Sequence, residues 1–135
     1  MMLFLKVLVA AVNLVVMVDG FCPCASQAPI LETLYHATNG SGWLNPWDLA
    51  SVDAPCSWTG VTCTSGGAII GLNLSLRQLS GTIPKVITNL TSLQTLYLGF
   101  NRLQGTLHTE YQLLTQLTVF YFRENLLTGT LPPEY

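Results

Sequence analysis

Between Leu72 and Leu131 the chain repeats itself every 24 residues. Leu72, Leu96 and Phe120 stand on that step, as do Leu74, Leu98 and Phe122, and Leu79, Leu103 and Leu127. Gly81, Gly105 and Gly129 follow it too, with Thr82, Thr106 and Thr130 and with Ile83, Leu107 and Leu131. Six columns in one frame, without an insertion, leave little choice of architecture. A unit this short cannot bury its apolar face alone, whereas stacked copies bury it between them. The chain reads as a solenoid.

One repeat runs Leu93-x-x-Leu96-x-Leu98-x-x-Asn101-x-Leu103-x-Gly105-x-Leu107. Leu96 and Leu98 alternate with Thr95, Tyr97 and Gly99, which predicts a short strand with the leucines on one face. Asn101 suits the corner after it, because a carboxamide both donates to and accepts from turn backbone. Gly105 gives freedom at the next bend. Stacked strands then form a parallel sheet on the broad concave wall.

This pattern resembles the 24-residue, plant-type leucine-rich repeat, over Ile69 to Tyr135. The resemblance implies an α/β repeat solenoid, a horseshoe segment with its parallel β-sheet on the concave face and an N-terminal cap. It also implies that Gly81-Thr-Ile-Pro84 opens a convex-side segment. Two departures stand out. Arg77 replaces the corner asparagine in the first repeat, read here as an edge effect, and His108 replaces the proline seen as Pro84 and Pro132.

Half of the residues are apolar, 9% are charged and the net charge is −2. Such a balance gives no electrostatic reason to expect nucleic acid, which needs clustered Lys and Arg. Residues 1–20 read as a secretory signal: Lys6 opens it, Val7–Val18 is the apolar run, and cleavage is placed after Gly20, with Cys24 as the alternative. An uncleaved anchor is the rival reading; Leu3–Val18 is short for a span and is interrupted by Lys6 and Asn13. Asn39, Asn73 and Asn89 each head an N-glycosylation acceptor triplet, which agrees with a secretory route.

Between leader and repeats lies a segment of different composition, so the chain divides into 1–20 leader, 21–68 cap and 69–135 repeats. Pro29 to Thr38 predicts a short helix, with Ile30, Leu31, Leu34 and Ala37 on one face and Asn39-Gly40 as its stop. Trp43, Trp47 and Trp58 follow as large apolar anchors in loop-rich chain. An exposed solenoid end needs a cover, and an oxidising compartment allows Cys56 and Cys63 to bond and pin that cover to the first strand. Metal binding is the rival for these thiols. No C-x-x-C is present, and His36 and His108 are far off in sequence, so no metal or cofactor is expected. Leu34-Tyr35-x-Ala37-Thr38-Asn39-Gly40-x-x-Trp43, followed by C-x-W-x-G-V-x-C, resembles the N-terminal cap of plant-type leucine-rich repeat proteins. Cys22-Pro-Cys24 has no firm reading; one intervening proline makes a mutual bond difficult.

No catalytic pattern emerges. Neither histidine adjoins a nucleophile or a carboxylate, and the acids Glu32, Asp48, Asp53, Glu110, Glu124 and Glu134 show no glycosidase-like pairing. The chain is not expected to be an enzyme. Outward strand positions instead form columns: Gly71, Thr95, Val119; Asn73, Tyr97, Tyr121; Ser75, Gly99, Arg123; and Leu76, Phe100, Glu124. Tyr97, Phe100, Tyr121, Arg123 and Glu124 are the candidate ligand-facing residues, since aromatics and Arg carry strong interface contacts. Exposed aromatics also arise from cross-strand packing alone. A glycan on Asn73 would limit access near the cap and move the expected site to repeats two and three.

The expected function is a secreted or cell-surface recognition module that binds protein, peptide or glycan through the concave face. The third repeat stops at Leu131-Pro-Pro-Glu-Tyr135 before a terminal cap, so the chain reads as a fragment of a longer surface protein or receptor, with membrane attachment in further sequence. The cap and Gly-Thr-Ile-Pro are similar to plant receptor ectodomains. Gly-Thr-Leu-Pro-Pro-Glu-Tyr and the Thr-x-Leu-Thr-x-Phe-x-Phe of residues 115–122 are similar to trypanosomatid surface-antigen repeats, and slightly favour a protist surface protein. A polygalacturonase-inhibitor-like enzyme inhibitor, the ectodomain of a receptor kinase and a non-binding surface coat are the alternatives.

Overall fold

The computed structural model describes residues 23–50 and 55–129. The leader, Cys22, Asp53 and the end of the third repeat from Thr130 lie outside them. The α-helix α1 (Ala28–Ala37) comes first, with proline in its first turn. Strands β1 (Val61–Cys63), β2 (Ile69–Asn73), β3 (Ser80–Gly81), β4 (Thr95–Tyr97), β5 (Arg102–Thr106), β6 (Val119–Tyr121) and β7 (Leu126–Thr128) follow.

Two sheets run the length of the stack. The concave one has the order β1-β2-β4-β6, antiparallel between β1 and β2 and parallel thereafter. Its register carries the 24-residue step directly: Leu72 faces Leu96, and Leu96 faces Phe120. The second sheet, β3-β5-β7, was not expected from the repeat pattern; it forms where each coil leaves its asparagine corner. Short 3-10 helices, Lys85–Asn89 and Thr109–Leu113, form the opposite side. Pro84 and His108 precede them with almost the same extended backbone (φ −75°, ψ 143° and φ −74°, ψ 141°), so losing the proline does not alter the coil.

The leucine columns are the core. Leu72, Leu74, Leu79, Leu96, Leu98 and Leu103 are all essentially inaccessible, joined by Ile87, Leu90, Leu93 and Tyr111. Tyr111 takes the place that Ile87 holds one coil earlier, and its hydroxyl donates to the Ile83 carbonyl at 3.0 Å. That bond removes the cost of burying a phenol between coils. On the surface nearby, Lys85 and Glu110 form an ion pair across the same two turns. Its hydrogen bond from Lys85, then one from the backbone, hold the Glu110 carboxyl below the ordinary glutamate range.

Asparagine joins neighbouring coils at the corner. Asn101 Oδ1 accepts from the Arg77 and Leu79 amides at 3.1 Å each, while Nδ2 donates to the Leu74 and Leu98 carbonyls at 2.9 and 2.8 Å. Asn125 repeats the arrangement on Leu103 and Leu98. The residue before each corner position has positive φ: Leu76 59°, Phe100 57° and Glu124 56°. These three were expected on a strand column. They stand instead at the bend, because the chain must reverse there to present the asparagine inward.

The cap closes the stack from both sheets. β1 pairs with β2, and the Cys56–Cys63 disulfide ties β1 to the preceding loop with Cα atoms 5.7 Å apart. At the C-terminus of α1, the Ala37 and Thr38 carbonyls accept from the Thr82 and Ser80 amides. Carbonyls that a helix end leaves unpaired thus bond the start of the second sheet. The buried face of α1 differs from the expected one: Leu31, Leu34 and Tyr35 are inside, whereas Ile30 and Ala37 are half-buried. Tyr35 is drawn in because Gly40 leaves room for its ring, which contacts Trp43 and Trp47. Trp43 donates to Thr38 O and Trp47 to Thr59 O, both at 2.9 Å, while Trp58 Nε1 is buried with no acceptor among the described residues. Cys24, left without a reading above, is buried and disulfide-bonded.

The edge position of Arg77 has a structural role. Its carbonyl accepts from the Leu44 amide at 2.8 Å and its Nη1 donates to the Asn45 carbonyl at 3.4 Å. The coil before it is the cap, not a repeat, so a longer reach is needed than an asparagine has. Partial burial lowers the guanidinium pKa from its usual value.

Candidate functional site: the concave sheet

Parallel pairing sets the outward residues of β2, β4 and β6 side by side. Asn73 lies opposite Tyr97, and Tyr97 opposite Tyr121, in the order the repeat step requires. The ladder runs on past the strands, because the Leu74 and Leu76 amides donate to Tyr97 and Gly99, and those of Leu98 and Phe100 to Tyr121 and Arg123. Ser75, Gly99 and Arg123 therefore share a row. The aromatic rings meet within this frame. Tyr97 and Tyr121 have centroids 6.3 Å apart, and the Phe100 and Tyr121 centroids are also 6.3 Å apart.

Gly99 makes that grouping possible. A Cβ there would lie 2.2 Å from Cε1 of Tyr121, so the tyrosine ring rests directly on glycine backbone. Gly99 is consequently buried, and so is Gly71, where a Cβ would come within 2.9 Å of Thr95 Oγ1. Both were read as open wall positions; the neighbouring side chains cover them. Tyr97 and Tyr121 are partly buried, and Phe100 is 49% exposed. Arg123 and Glu124 are exposed, and neither enters an ion pair among the described residues.

The five expected ligand-facing residues therefore fall on the side of the sheet made by the second and third repeats. The rings form its floor, with Phe100 and Glu124 at the turn edge rather than on the sheet itself. Leu44 and Leu76, 49% and 66% exposed, continue the apolar edge toward the cap. The sequence marks Leu44 poorly, since it lies in a tryptophan loop without a period. Such an arrangement offers flat apolar contact with one cation and one anion beside it, which suits an extended chain of mixed character.

The remaining expected residues are spread elsewhere. Asn73, Asn39 and Asn89 are exposed on the concave sheet, the cap and the end of a 3-10 helix, respectively. His36 is exposed on α1 and stacks edge-on with Tyr35, and His108 contacts Tyr111. Among the described residues no group of three His, Cys, Asp or Glu could hold a metal, and no helix is long and apolar enough to cross a membrane.

Residues 27–64 match the family model described as the leucine rich repeat N-terminal domain, and residues 92–114 match that of the leucine rich repeat. A receptor protein kinase of rice (Oryza sativa subsp. japonica), WSS1, is 38% identical over 88 residues, which are 58% of this chain and 9% of that protein. The chain thus spans under a tenth of this curated relative. Among solved structures, the BIR2 ectodomain of Arabidopsis thaliana has a TM-score of 0.67 at 30% identity, covering 77% of this chain and 57% of that one. The Arabidopsis receptor kinase HAESA, solved in complex with the peptide hormone IDA and the co-receptor SERK1, has a TM-score of 0.63 at 28% identity, covering 78% and 18%.

Proposed function

The chain carries a leucine-rich repeat cap and leucine-rich repeats, and from this we propose that it is a recognition module, displayed at the cell surface or secreted, that binds a peptide or protein through its concave sheet. The observation that carries the reading is the ring cluster of in-register Tyr97 and Tyr121 with Phe100 at the bend, and Arg123 and Glu124 exposed beside it without an ion pair among the described residues. Rigid aromatics supply contact area at low entropic cost, and the two charges fix polarity. The neighbour solved with a peptide hormone and a co-receptor supports a peptide or protein ligand over a glycan, and supports a receptor-type context over the surface-antigen one. We assign the repeats recognition rather than catalysis, in keeping with the ectodomain structures they resemble. The leader read at residues 1–20 would deliver them.

The test is a screen of the immobilised full chain against a synthetic peptide library. At least one peptide should be retained, and Tyr121→Ala or Arg123→Ala should weaken it roughly tenfold or more. Gln112→Ala, exposed on a convex-side turn, should leave it unchanged. Retention that is indifferent to both concave variants would overturn the proposal.

A further inference from the structure

Three asparagines head acceptor triplets. Asn73 and Asn89 are both exposed with Nδ2 in no hydrogen bond among the described residues. Asn73 stands on a strand opposite Tyr97, whereas Asn89 ends a 3-10 helix. Asn101 and Asn125 offer the contrast that matters: as corner residues they commit Nδ2 to the carbonyls of their own and the preceding coil. Asn73 commits only its oxygen. Oδ1 accepts from the Ser75 amide at 3.3 Å, and Nδ2 makes no hydrogen bond among the described residues. That bond fixes the carboxamide in a local turn and leaves the nitrogen toward solvent from an exposed position. Asn39 is differently placed. Its φ is 57°, and its Nδ2 lies folded across Gly42, 2.7 Å from where a Cβ would stand.

We infer that Asn73 carries an N-linked glycan whose first sugar lies on the Tyr97 ring, closing the cap end of the concave sheet. This rests on the secretory reading above. In the covalent step the Asn73 Nδ2–C1 bond forms as the C1–O bond to a polyprenyl-diphosphate-linked oligosaccharide breaks. The lipid diphosphate leaves with the electron pair, and one amide proton passes to a base of the membrane transferase. No electrons change hands. Ser75 supplies the hydroxyl of the acceptor triplet.

Transfer onto the nascent chain requires that the fold tolerate the product. Asn73 tolerates it, since its nitrogen has no partner to lose among the described residues. Pairing does the rest. Tyr97 is the residue directly across from Asn73, and adjacent strands stand about 4.8 Å apart. A pyranose attached at Asn73 can set its C–H face on the part of that ring left accessible. On the other side, the backbone around Asn73 is held close by Gly60, whose carbonyl accepts from the Asn73 amide at 2.7 Å, so that side offers no aromatic platform. The glycan then takes Tyr97 out of the ligand surface as its own platform and bounds that surface, leaving Tyr121, Phe100, Arg123 and Glu124 to the ligand.

The experiment expresses the full chain in a eukaryotic secretory system and recovers it from the microsomes or medium. Enzymatic deglycosylation that leaves Asp at each occupied Asn is followed by peptide mass spectrometry. Asn73 should be occupied, and both Asn73→Gln and Ser75→Ala should remove the same single glycan. Trimming to the first sugar should retain its stabilisation, and removing that sugar should lower Tm by roughly 2–4 °C in the native sequence but not in Tyr97→Ala. Asn39 or Asn89 occupied with Asn73 bare overturns this inference alone. No occupied site overturns it together with the secretory reading. Equal Tm losses with and without Tyr97 overturn the stacking.

Discussion

Asn101 shows how much one side chain can hold when a turn needs both a donor and an acceptor. Its oxygen satisfies two amides of the first repeat and its nitrogen satisfies carbonyls in two coils. Alanine would strand four backbone groups at a half-buried corner. At about 1 kcal/mol for each lost bond, Asn101→Ala should cost on the order of 3–4 kcal/mol in denaturant unfolding. Asn101→Asp should cost at least as much, because an acceptor would then face the Leu74 and Leu98 carbonyls. An aspartate variant nearly as stable as the native protein would show that the oxygen alone matters. This role was legible in the sequence, since the chemistry of a carboxamide and its place before Leu103 both point to a corner. Positive φ at Leu76, Phe100 and Glu124 was not. None of those side chains favours the left-handed region, and only the fixed bonding of the next residue imposes it.

At the level of elements, the concave sheet was readable and the second sheet was not. Alternation over three residues, with leucines at 24-residue steps, dictates β2, β4 and β6 and their register. β3, β5 and β7 carry the 24-residue step at Gly81 and Gly105 and at Leu103 and Leu127, but β3 and β5 are built largely from Ser80, Gly81, Arg102, Gln104 and Gly105, residue types with little strand preference. They pair because the corner bonds align one coil on the next, as when the Arg102 amide donates to the Leu79 carbonyl. Glycine in this sheet has two distinct uses. At Gly81, φ is 111° and a Cβ would sit 2.3 Å from the Ala37 carbonyl oxygen, the place where the cap helix meets the first coil. At Gly105, φ is 87° and the nearest atom is the Thr82 methyl at 3.2 Å. Gly105→Ala should therefore cost about 1 kcal/mol, mainly from backbone conformation. Gly81→Ala adds a collision with backbone that no side-chain rotation can relieve, and should cost about 3 kcal/mol. Urea midpoints of the two variants measure the difference. Equal losses would mean that the helix end and β3 separate easily, against the bonding described here.

Across the whole molecule, the chain is a stack in which each coil's burial depends on its neighbours. The first two repeats are enclosed: Leu72, Leu74 and Leu79 lie beneath the tryptophan cluster, and Leu96, Leu98 and Leu103 lie beneath the third coil. Phe120, Phe122 and Leu127 stand on the same columns yet are only half-buried among the described residues. Larger rings in the Phe120 and Phe122 positions, with centroids 5.0 Å apart, cover part of each other where no further described coil does so. This gradient could be anticipated from the repeat itself; the docking of the cap could not, because it depends on Arg77 reaching Asn45 and on helix carbonyls bonding β3. The consequence is unequal sensitivity to the same substitution. Leu96→Ala should open a cavity in fully enclosed core and cost about 3–4 kcal/mol, whereas Leu127→Ala should cost about 1–2 kcal/mol. Amide exchange should follow the same order, with protection highest at Leu72 and Leu96 and lower at Phe120, because nearest-neighbour stacks open from their less buried end. Uniform protection along the three strands, or equal costs at Leu96 and Leu127, would mean that the third coil is held as firmly as the second. The proposed ligand surface would then rest on a rigid platform throughout; a graded response instead places Tyr121 and Arg123 on the more adaptable coil, with Tyr97 on the enclosed second one.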